Sequence, residues 1–502
     1  MGLNRSRLSS LLAVFSLSAA ALAGITGCSA QFKSTLAISP ASPSKPSGPP
    51  SDPPSNPPSN PPTNPPSNPP TNPPSNPPSN PPTNPPANPP SNPLPIISLP
   101  VEQATASSSF VSSIGVVTHL SYTDTPYYTQ FPQILSALQS LGVRHIRDGY
   151  YPWDESNPVV QAHKQVAAAG IKCDYVVPYD LTTTPQAIEQ FAPVVGDMES
   201  LEPPNECDIS GGCNGLGLAA IENLLAFLPI VNTAAKTLNV PMLGPAFVNQ
   251  DSFPEAGNLS SEMTVNNLHI YFGGRNPGSA GWGATDPEGN SYGSFAWWLD
   301  QAAIDGPGLP TEITETGFIA SETTTTPYTL PDSVEASYAP RTLLLAYKDG
   351  FKETFLYELI DEVSSPGYGL MNADLTPKPA YTAVGNLLAT LSDQGASFTP
   401  GSLPYQLSGG DANLNHLLLE KSDGSYWLVL WLEEPSWDPV NAAPVSVTPE
   451  DITLELNGAY TTTTAYQFDA TGNVSPIDLT MSTYYAGLTV TDQVTIVQIT
   501  PQ

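Results

Sequence analysis

The chain has 502 residues, with 15 basic and 46 acidic side chains and a formal net charge of −31. That length exceeds what one hydrophobic core usually fills, and the shortage of Lys and Arg excludes a nucleic-acid binder. Four cysteines in so long a chain exclude a disulfide-stapled miniprotein. What remains is an acidic, lightly charged protein with 59 prolines, concentrated in one stretch.

Arg5 and Arg7 precede an apolar run from Leu8 to Ile25 that is rich in small residues. This reads as a secretory signal peptide, too short and too rich in Ala and Ser for a membrane span. The run closes on Leu22-Ala23-Gly24-Ile25-Thr26-Gly27-Cys28, which resembles a bacterial lipobox. The resemblance implies that Cys28 is lipidated, giving a membrane anchor without a transmembrane helix. Ser29 stands after the cysteine where Asp is absent, which by analogy implies an outer-membrane lipoprotein. An ordinary signal peptide with an incidental cysteine is the alternative.

Residues 53–92 repeat Pro-Pro-Ser-Asn or Pro-Pro-Thr-Asn, with one Pro-Pro-Ala-Asn. Such a repeat offers no apolar face and cannot build a core. Paired prolines favour polyproline II at about 3.1 Å per residue, so the segment is expected to act as a stiff spacer. The expected division is 1–28 signal peptide, 29–94 linker, 95–395 first folded domain and 396–502 second. Without its first 94 residues the chain keeps 45 acidic and 11 basic groups, a net charge of −34. That surface disfavours polyanions and is indifferent to neutral partners.

From 114 to 391, short β-rich runs alternate with helix-like stretches. Strands are expected at 114–119, 143–148, 173–178, 197–202, 241–247, 265–271, 312–316 and 353–359. Helical periodicity appears at 133–141, 221–238 and 336–347. Eight strand-then-helix units in about 280 residues predict an α/β fold, a (β/α)₈ TIM barrel. A doubly wound open sheet is the alternative. Beyond 391, runs at 417–420, 426–432, 453–456, 462–467 and 494–499 are separated by turn signals, which predicts a small all-β, sandwich-like domain.

In such a barrel, reactive groups stand at the C-terminal ends of the strands. The polar residues there are His119, Arg147, Asp148, Asn205, Glu206, His269, Tyr271, Glu315, Tyr357 and Glu358. Two glutamates from separate strands facing one mouth suit glycoside cleavage. One protonates the leaving oxygen, while the other attacks or activates water at the anomeric carbon.

The motif Leu201-Glu202-Pro203-Pro204-Asn205-Glu206 resembles the fourth-strand Asn-Glu motif of clan GH-A, a large set of retaining (β/α)₈ glycoside hydrolases. Ile313-Thr314-Glu315-Thr316-Gly317-Phe318 resembles that clan's nucleophile segment. Phe355 to Glu362, with Gly369-Leu370-Met371 and Asp374 to Pro379, is similar to the final strand and helix of family 39-like and family 5-like members. The resemblance implies that Glu206 is the acid/base and Glu315 the nucleophile. It also implies that Asn205 binds the sugar 2-hydroxyl, that Tyr271 orients Glu315, and that His119, Arg147 and His269 line the attacked-sugar subsite. No cofactor or metal is implied, and the expected partner is a neutral poly- or oligosaccharide.

Where clan members have Pro after the acid/base, this chain has Cys207, with Cys213 six residues on. In an exported protein the pair reads as a disulfide closing a tight loop. A metal pair or two free thiols are the alternatives, although no His or Cys stands at ligand spacing. Cys173 is expected to be a buried core residue. Glu202 and Glu312 are expected to be structural, and Asp148 to pair with Arg147 or Arg144. Glu358 would either bind sugar hydroxyls or pair with Arg147. Trp282, Trp297 and Trp298 follow the sixth strand and offer faces for sugar stacking, with at least one of Trp297 and Trp298 in the core. His145, His163 and His416 have no motif around them.

The expected activity is retaining glycoside hydrolysis, with transglycosylation as a variant on the same residues. A non-catalytic glycan-binding or scaffold protein on the same barrel is the rival from another class.

Overall fold

Prolines and β-branched runs decide how the first folded region is walled. The computed structural model describes residues 96–502 except 152, 180–183, 280–288, 323–327 and 363–365. The expected signal peptide, Cys28, the repeat expected to act as a linker and Trp282 therefore lie outside the described residues. Two short strands come first, β1 (Val101–Gln103) and β2 (Thr105–Ala106). The wall strands follow: β3 (Ile114–Val117), β4 (His145–Gly149), β5 (Lys172–Val176), β6 (Met198–Glu202), β7 (Asn266–Tyr271) and β8 (Thr311–Gly317). After the short β9 (Ile319–Ala320) and β10 (Thr329–Leu330) comes β11 (Thr354–Leu356). Seven of these form one parallel sheet in the order β6-β5-β4-β3-β11-β8-β7.

The strand expected at 241–247 does not form a regular ladder. Met242 bridges Leu201 and Leu243 bridges Val265, and backbone bonds such as Leu243 N to Leu201 O (2.9 Å) and Gly244 N to Val265 O (2.8 Å) join β6 to the approach to β7. Pro241 and Pro245 bracket this segment and lack the N–H groups that a longer ladder needs. The expected regular eight-stranded closure is therefore replaced by seven paired strands and a short bridged joint.

Helices cover the outer side. The helix Phe131–Leu141 buries Ile134, Leu138 and Leu141 and ends on Gly142 at φ 85, a left-handed cap that glycine adopts without steric cost. Asn157 caps Pro158–Ala168 by accepting from Val159 N, and the proline sits in the first turn, where no donor is needed. The helix Leu218–Leu238 is long and apolar enough to cross a membrane by composition alone. Here Ile221, Leu224, Leu228 and Val231 are buried in the core.

The second region contains β12 (Ser402–Ser408), β13 (Leu414–Glu420), β14 (Tyr426–Leu432), β15 (Trp437–Asp438), β16 (Ala443–Pro444) and β17 (Glu450–Leu456). It continues with β18 (Tyr460–Phe468), β19 (Val474–Ile477), β20 (Thr480–Met481), β21 (Tyr485–Val490) and β22 (Thr495–Pro501). Two larger sheets form, β1-β12-β17-β21-β20 and β19-β18-β22-β14-β13-β2, and β15 pairs with β16 in a small third. β1 and β2 belong to them, pairing with β12 and β13, so residues up to 106 fold with the second region and not with the first as expected. Strands of two or three residues carry no periodicity by which to recognise them.

All seven residues of β14 are buried, and alternation explains why. Tyr426, Leu428, Leu430 and Leu432 join the apolar cluster between the two sheets, while Trp427, Val429 and Trp431 join the main cluster of the first region. A strand covered on both faces reads as a continuous apolar run.

One buried group opposes the fold at neutral pH. Asp305 ends the helix Phe295–Asp305, is 3% exposed, and leaves Oδ1 without a partner. Burial pushes its pKa up to about 8, and a carboxylate at a helix C-terminus also meets the negative end of the dipole. Because the folded pKa lies above the unfolded value, the associated stability is complete below about pH 4. It is lost as pH rises towards 8. Asp305→Asn is expected to raise the melting temperature by roughly 5 °C at pH 8 and to match the wild type near pH 4, measured by thermal unfolding at both pH values.

Candidate active site

Arg147 on β4 organises the C-terminal end of the parallel sheet. Its Nε and Nη2 donate to the two oxygens of Glu202, at 2.8 and 2.6 Å. Nη1 donates to Glu315 Oε1 at 2.6 Å, and Nη2 also reaches Asn205 Oδ1 at 2.8 Å. Arg147 is 3% exposed and Glu202 fully buried. The carboxylates of Glu202 and Glu315 raise its already high pKa despite the opposing effect of burial, so the guanidinium is permanently charged. Glu202 is thus its counter-ion. Asp148 does not pair with Arg147 as expected. Its carboxylate accepts from Thr118 Oγ1 (2.6 Å), Leu120 N (3.0 Å) and Gly149 N (2.7 Å), because adjacent residues on a strand point to opposite faces.

Glu315 lies at the end of β8, 5% exposed. Tyr271 donates its hydroxyl to Glu315 Oε2 at 2.8 Å. Burial pushes the carboxyl pKa up, but His269, Arg147 and Tyr271 together hold it below the usual carboxylate value. The β7–β8 register shifts here: Leu268 pairs with Ile313 but His269 with Glu315. Thr314 is left as an extra residue, a bulge of the kind that re-aims side chains beside functional sites.

Glu206 immediately precedes the short helix Cys207–Ser210, in a left-handed conformation at φ 43. That is unusual for a residue with a Cβ and is held by its surroundings. Its Oε1 lies 2.8 Å from His269 Nδ1, which is 3.6 Å from Glu315 Oε2. One carboxylate oxygen of each glutamate and a His269 nitrogen lie within 4.8 Å of one another. Burial lowers the pKa of His269, but Glu315 and Glu206 carry it above the ordinary value. Its Nε2 contacts Thr314 Oγ1 at 3.1 Å, and Thr314 donates to Asn267 Oδ1 at 2.6 Å. His269 Nε2 also lies 3.4 Å from Arg147 Nη2, which can only donate.

Two ties fix the Glu206 turn. Cys207 and Cys213 form a disulfide, with Cα atoms 5.4 Å apart. The Asp208 carboxylate accepts from Val248 N (3.1 Å), Asn249 N (2.8 Å) and Ser252 Oγ (2.8 Å). A loop this short contributes about 2 kcal/mol through the restricted unfolded chain, and its larger expected effect is on geometry. Cys213→Ser, or reduction of the native protein, is expected to lower kcat by about 10–100-fold through misplacement of Glu206, with KM little changed. Steady-state kinetics with parallel thiol titration checks this.

His119 and Glu358 sit together on the neighbouring side of the sheet. His119 Nε2 is 3.5 Å from Glu358 Oε2, and the His119 ring stacks on Tyr122 at 4.5 Å. Burial lowers the His119 pKa to about 4, so the ring is neutral near pH 7. Tyr127 donates to Glu358 Oε2 at 3.3 Å. Glu358 therefore faces His119 and Tyr127, and its expected alternative role as a partner for Arg147 is not what forms.

Trp297 and Trp298 are both buried, at 4% and 8% exposure, so neither offers a face to a sugar. Cys173 is buried as a free thiol. His145, His163 and His416 contact Glu199, Asp197 and Glu102 respectively. Glu312 pairs with Lys352.

Glu206, His269 and Glu315 have the spacing of a metal-binding triad, as do His119, Glu358 and Glu362. At the first, the Arg147 guanidinium already supplies the positive charge on Glu315 and would repel a second cation. Sequence reasoning did not single out Asn267, Thr314 or Asp208. The two-residue spacing of Asn267, His269 and Tyr271 on one strand face was the available signal for the first of these.

No protein-family model matches the sequence, and no curated protein matches it. Among solved structures, the fold is similar to a family 51 α-L-arabinofuranosidase from Bifidobacterium longum. The TM-score is 0.50 at 12% identity, covering 79% of this chain and 97% of that one. It is similar to a further arabinofuranosidase at a TM-score of 0.50 and 10% identity, covering 81% and 98%. A family 39 glycoside hydrolase from Bacteroides cellulosilyticus WH2 is more distant, at 0.45 and 15% identity over 78% and 82% of the two chains. At these identities the first two likenesses establish a shared fold, and the third adds nothing to it.

Proposed function

We propose that the chain is an exported retaining glycoside hydrolase acting on a neutral poly- or oligosaccharide. Glu315 is the nucleophile and Glu206 the acid/base. The observation that carries this reading is the approach of Glu206 and Glu315 oxygens to within 4.8 Å around His269. Retaining enzymes hold their two carboxyl groups about 5–5.5 Å apart, whereas inverting enzymes leave about 6.5–9.5 Å for a water. The environments also differ. Arg147 and Tyr271 keep Glu315 anionic, as a nucleophile requires, whereas the contact at Glu206 Oε1 is the His269 ring.

In the first step Glu206 delivers a proton to the leaving oxygen while Glu315 forms a bond to the anomeric carbon. In the second, Glu206 takes a proton from water, which displaces Glu315 and releases the sugar with its configuration retained. A neutral substrate fits the charges. The Arg147 guanidinium is taken up by Glu202, Glu315 and Asn205, and His119 is held neutral by burial. Neither supplies a cation for a substrate carboxylate.

We further propose that Cys28 is lipidated, that the chain is an outer-membrane lipoprotein, and that the proline repeat spaces the folded part from the membrane. Incorporation of labelled fatty acid, lost in Cys28→Ala, tests the anchor.

The test of the reaction is incubation of residues 95–502 with β-glucans, xylans, mannans, arabinans and aryl glycosides, arabinofuranosides included. The anomer first released is read by proton NMR. Retained configuration is the expected result, and inversion overturns the reading. Glycan binding without cleavage of any substrate moves the conclusion to a non-catalytic surface protein.

A further inference from the structure

One buried carboxylate of the sandwich holds two loops that rise from the site strands. Glu433 follows β14, and its side chain is 7% exposed. Its Oε1 accepts from Asn276 Nδ2 at 3.1 Å and from Gly278 N at 3.2 Å, both in the segment leaving β7. The same carboxylate pairs with Arg341, which is fully buried in the helix Asp332–Lys348. It also accepts from Trp431 Nε1 at 2.8 Å. Four residues after Glu433, Trp437 Nε1 donates to Thr329 O at 3.1 Å, and Pro439 O accepts from Tyr328 N at 3.0 Å.

The packing leaves little slack. A Cβ on Gly278 would lie 2.3 Å from Glu433 Cγ, and one on Gly274 would lie 2.9 Å from Tyr328 O and 3.0 Å from Pro439 Cβ. The base of the loop after β8 is also pinned, because β10 pairs with β9 in parallel. A single sandwich segment, 433–439, thus fastens the backbone after the strand carrying His269 and Tyr271 and the backbone after the strand carrying Glu315.

We propose that residues 433–439 are a positioning element of the substrate cleft: Glu433, Trp437 and Pro439 set the loops at 272–279 and 328–330, and through them the binding of sugar units beyond the one attacked. The statement about sugars rests on the glycosidase reading. Glu206 and Glu315 themselves are fixed by their strands, by Arg147 and by the disulfide. Loosening the clamp therefore alters the grip on long substrates while sparing the chemistry on short ones. On this account the sandwich is part of the cleft wall and not a detached module.

The test compares the full-length chain with Glu433→Gln and with Trp437→Phe. The second keeps an aromatic ring while removing the indole donor and its five-membered ring, and it leaves Arg341 paired, so it remains informative if loss of the Arg341 partner unfolds the first. Amide hydrogen exchange is expected to accelerate about tenfold in 272–279 and 328–330, with 131–141 unchanged. KM for an oligosaccharide is expected to rise about tenfold, while kcat on an aryl monosaccharide glycoside stays within about twofold. Unchanged exchange at both loops in the folded variants overturns the clamp. Faster exchange with an unaltered oligosaccharide KM overturns its role in binding. A wild type that cleaves nothing sinks the glycosidase reading alone, and the clamp is then decided by the exchange rates.

Discussion

Glu315→Gln is expected to lower kcat/KM by at least about 10⁴-fold on every substrate, including aryl glycosides with good leaving groups. The amide keeps the size of the side chain and can still face Tyr271 and Arg147 (2.8 and 2.6 Å in the wild type). It cannot form the covalent bond that divides the reaction into two steps. Glu206→Ala is expected to behave differently. Its loss is large, about 10²–10⁴-fold, only where the leaving group needs a proton. With an activated aryl glycoside the first step persists, and added azide restores turnover by attacking the intermediate from the face where Glu206 had activated water. Equal losses for both variants across leaving groups would contradict the assignment of distinct roles.

Arg147→Met is expected to be the most damaging change outside the two glutamates. It strands Glu202, fully buried, and Glu315, 5% exposed, without their shared cation. Breaking such a buried pair by removing one partner typically costs about 3–5 kcal/mol. The pH dependence should move as well. In the wild type Glu315 is held below the usual carboxylate value, burial being outweighed by His269 and Arg147. The stability it contributes is therefore present above its unfolded pKa and lost as pH falls through the folded value. Without Arg147 the Glu315 pKa rises, so the acidic limb of the pH–rate profile shifts upward and the stabilising effect inverts. Denaturant unfolding at pH 7 and a kcat/KM profile of the variant check both parts. An unmoved acidic limb would show that Arg147 does not hold the charge on Glu315.

Much of the site could be read from strand ends. Glu206 and Glu315 stand where a parallel barrel presents its reactive groups, and the two-residue spacing of His269 and Tyr271 puts both on the inner face. The segment 241–247 has the apolar content of a strand, but Pro241 and Pro245 remove donors that a longer ladder needs. The pairing of β1 and β2 with β12 and β13 is not legible in the sequence, because strands of two or three residues show no alternation. Asp148 pairs with neither Arg147 nor Arg144: pleating sends it to the face opposite Arg147, and its carboxylate is taken up by Thr118, Leu120 N and Gly149 N. The ties made by Asp208 and Glu433 were out of reach for a different reason. Their partners, Val248 to Ser252 and Asn276 to Arg341, are far along the chain and meet them only after folding.

The central claim is that Glu315 becomes covalently bonded to the sugar. The most direct test is to incubate the wild type with a panel of 2-fluoro glycosides carrying activated leaving groups, then map any adduct by peptide mass spectrometry. The account predicts one added glycosyl unit on the peptide containing Glu315, absent from Glu315→Gln and lost on transfer to a sugar acceptor. Cleavage of natural substrate with no trapped adduct, or an adduct on Glu206, would contradict it.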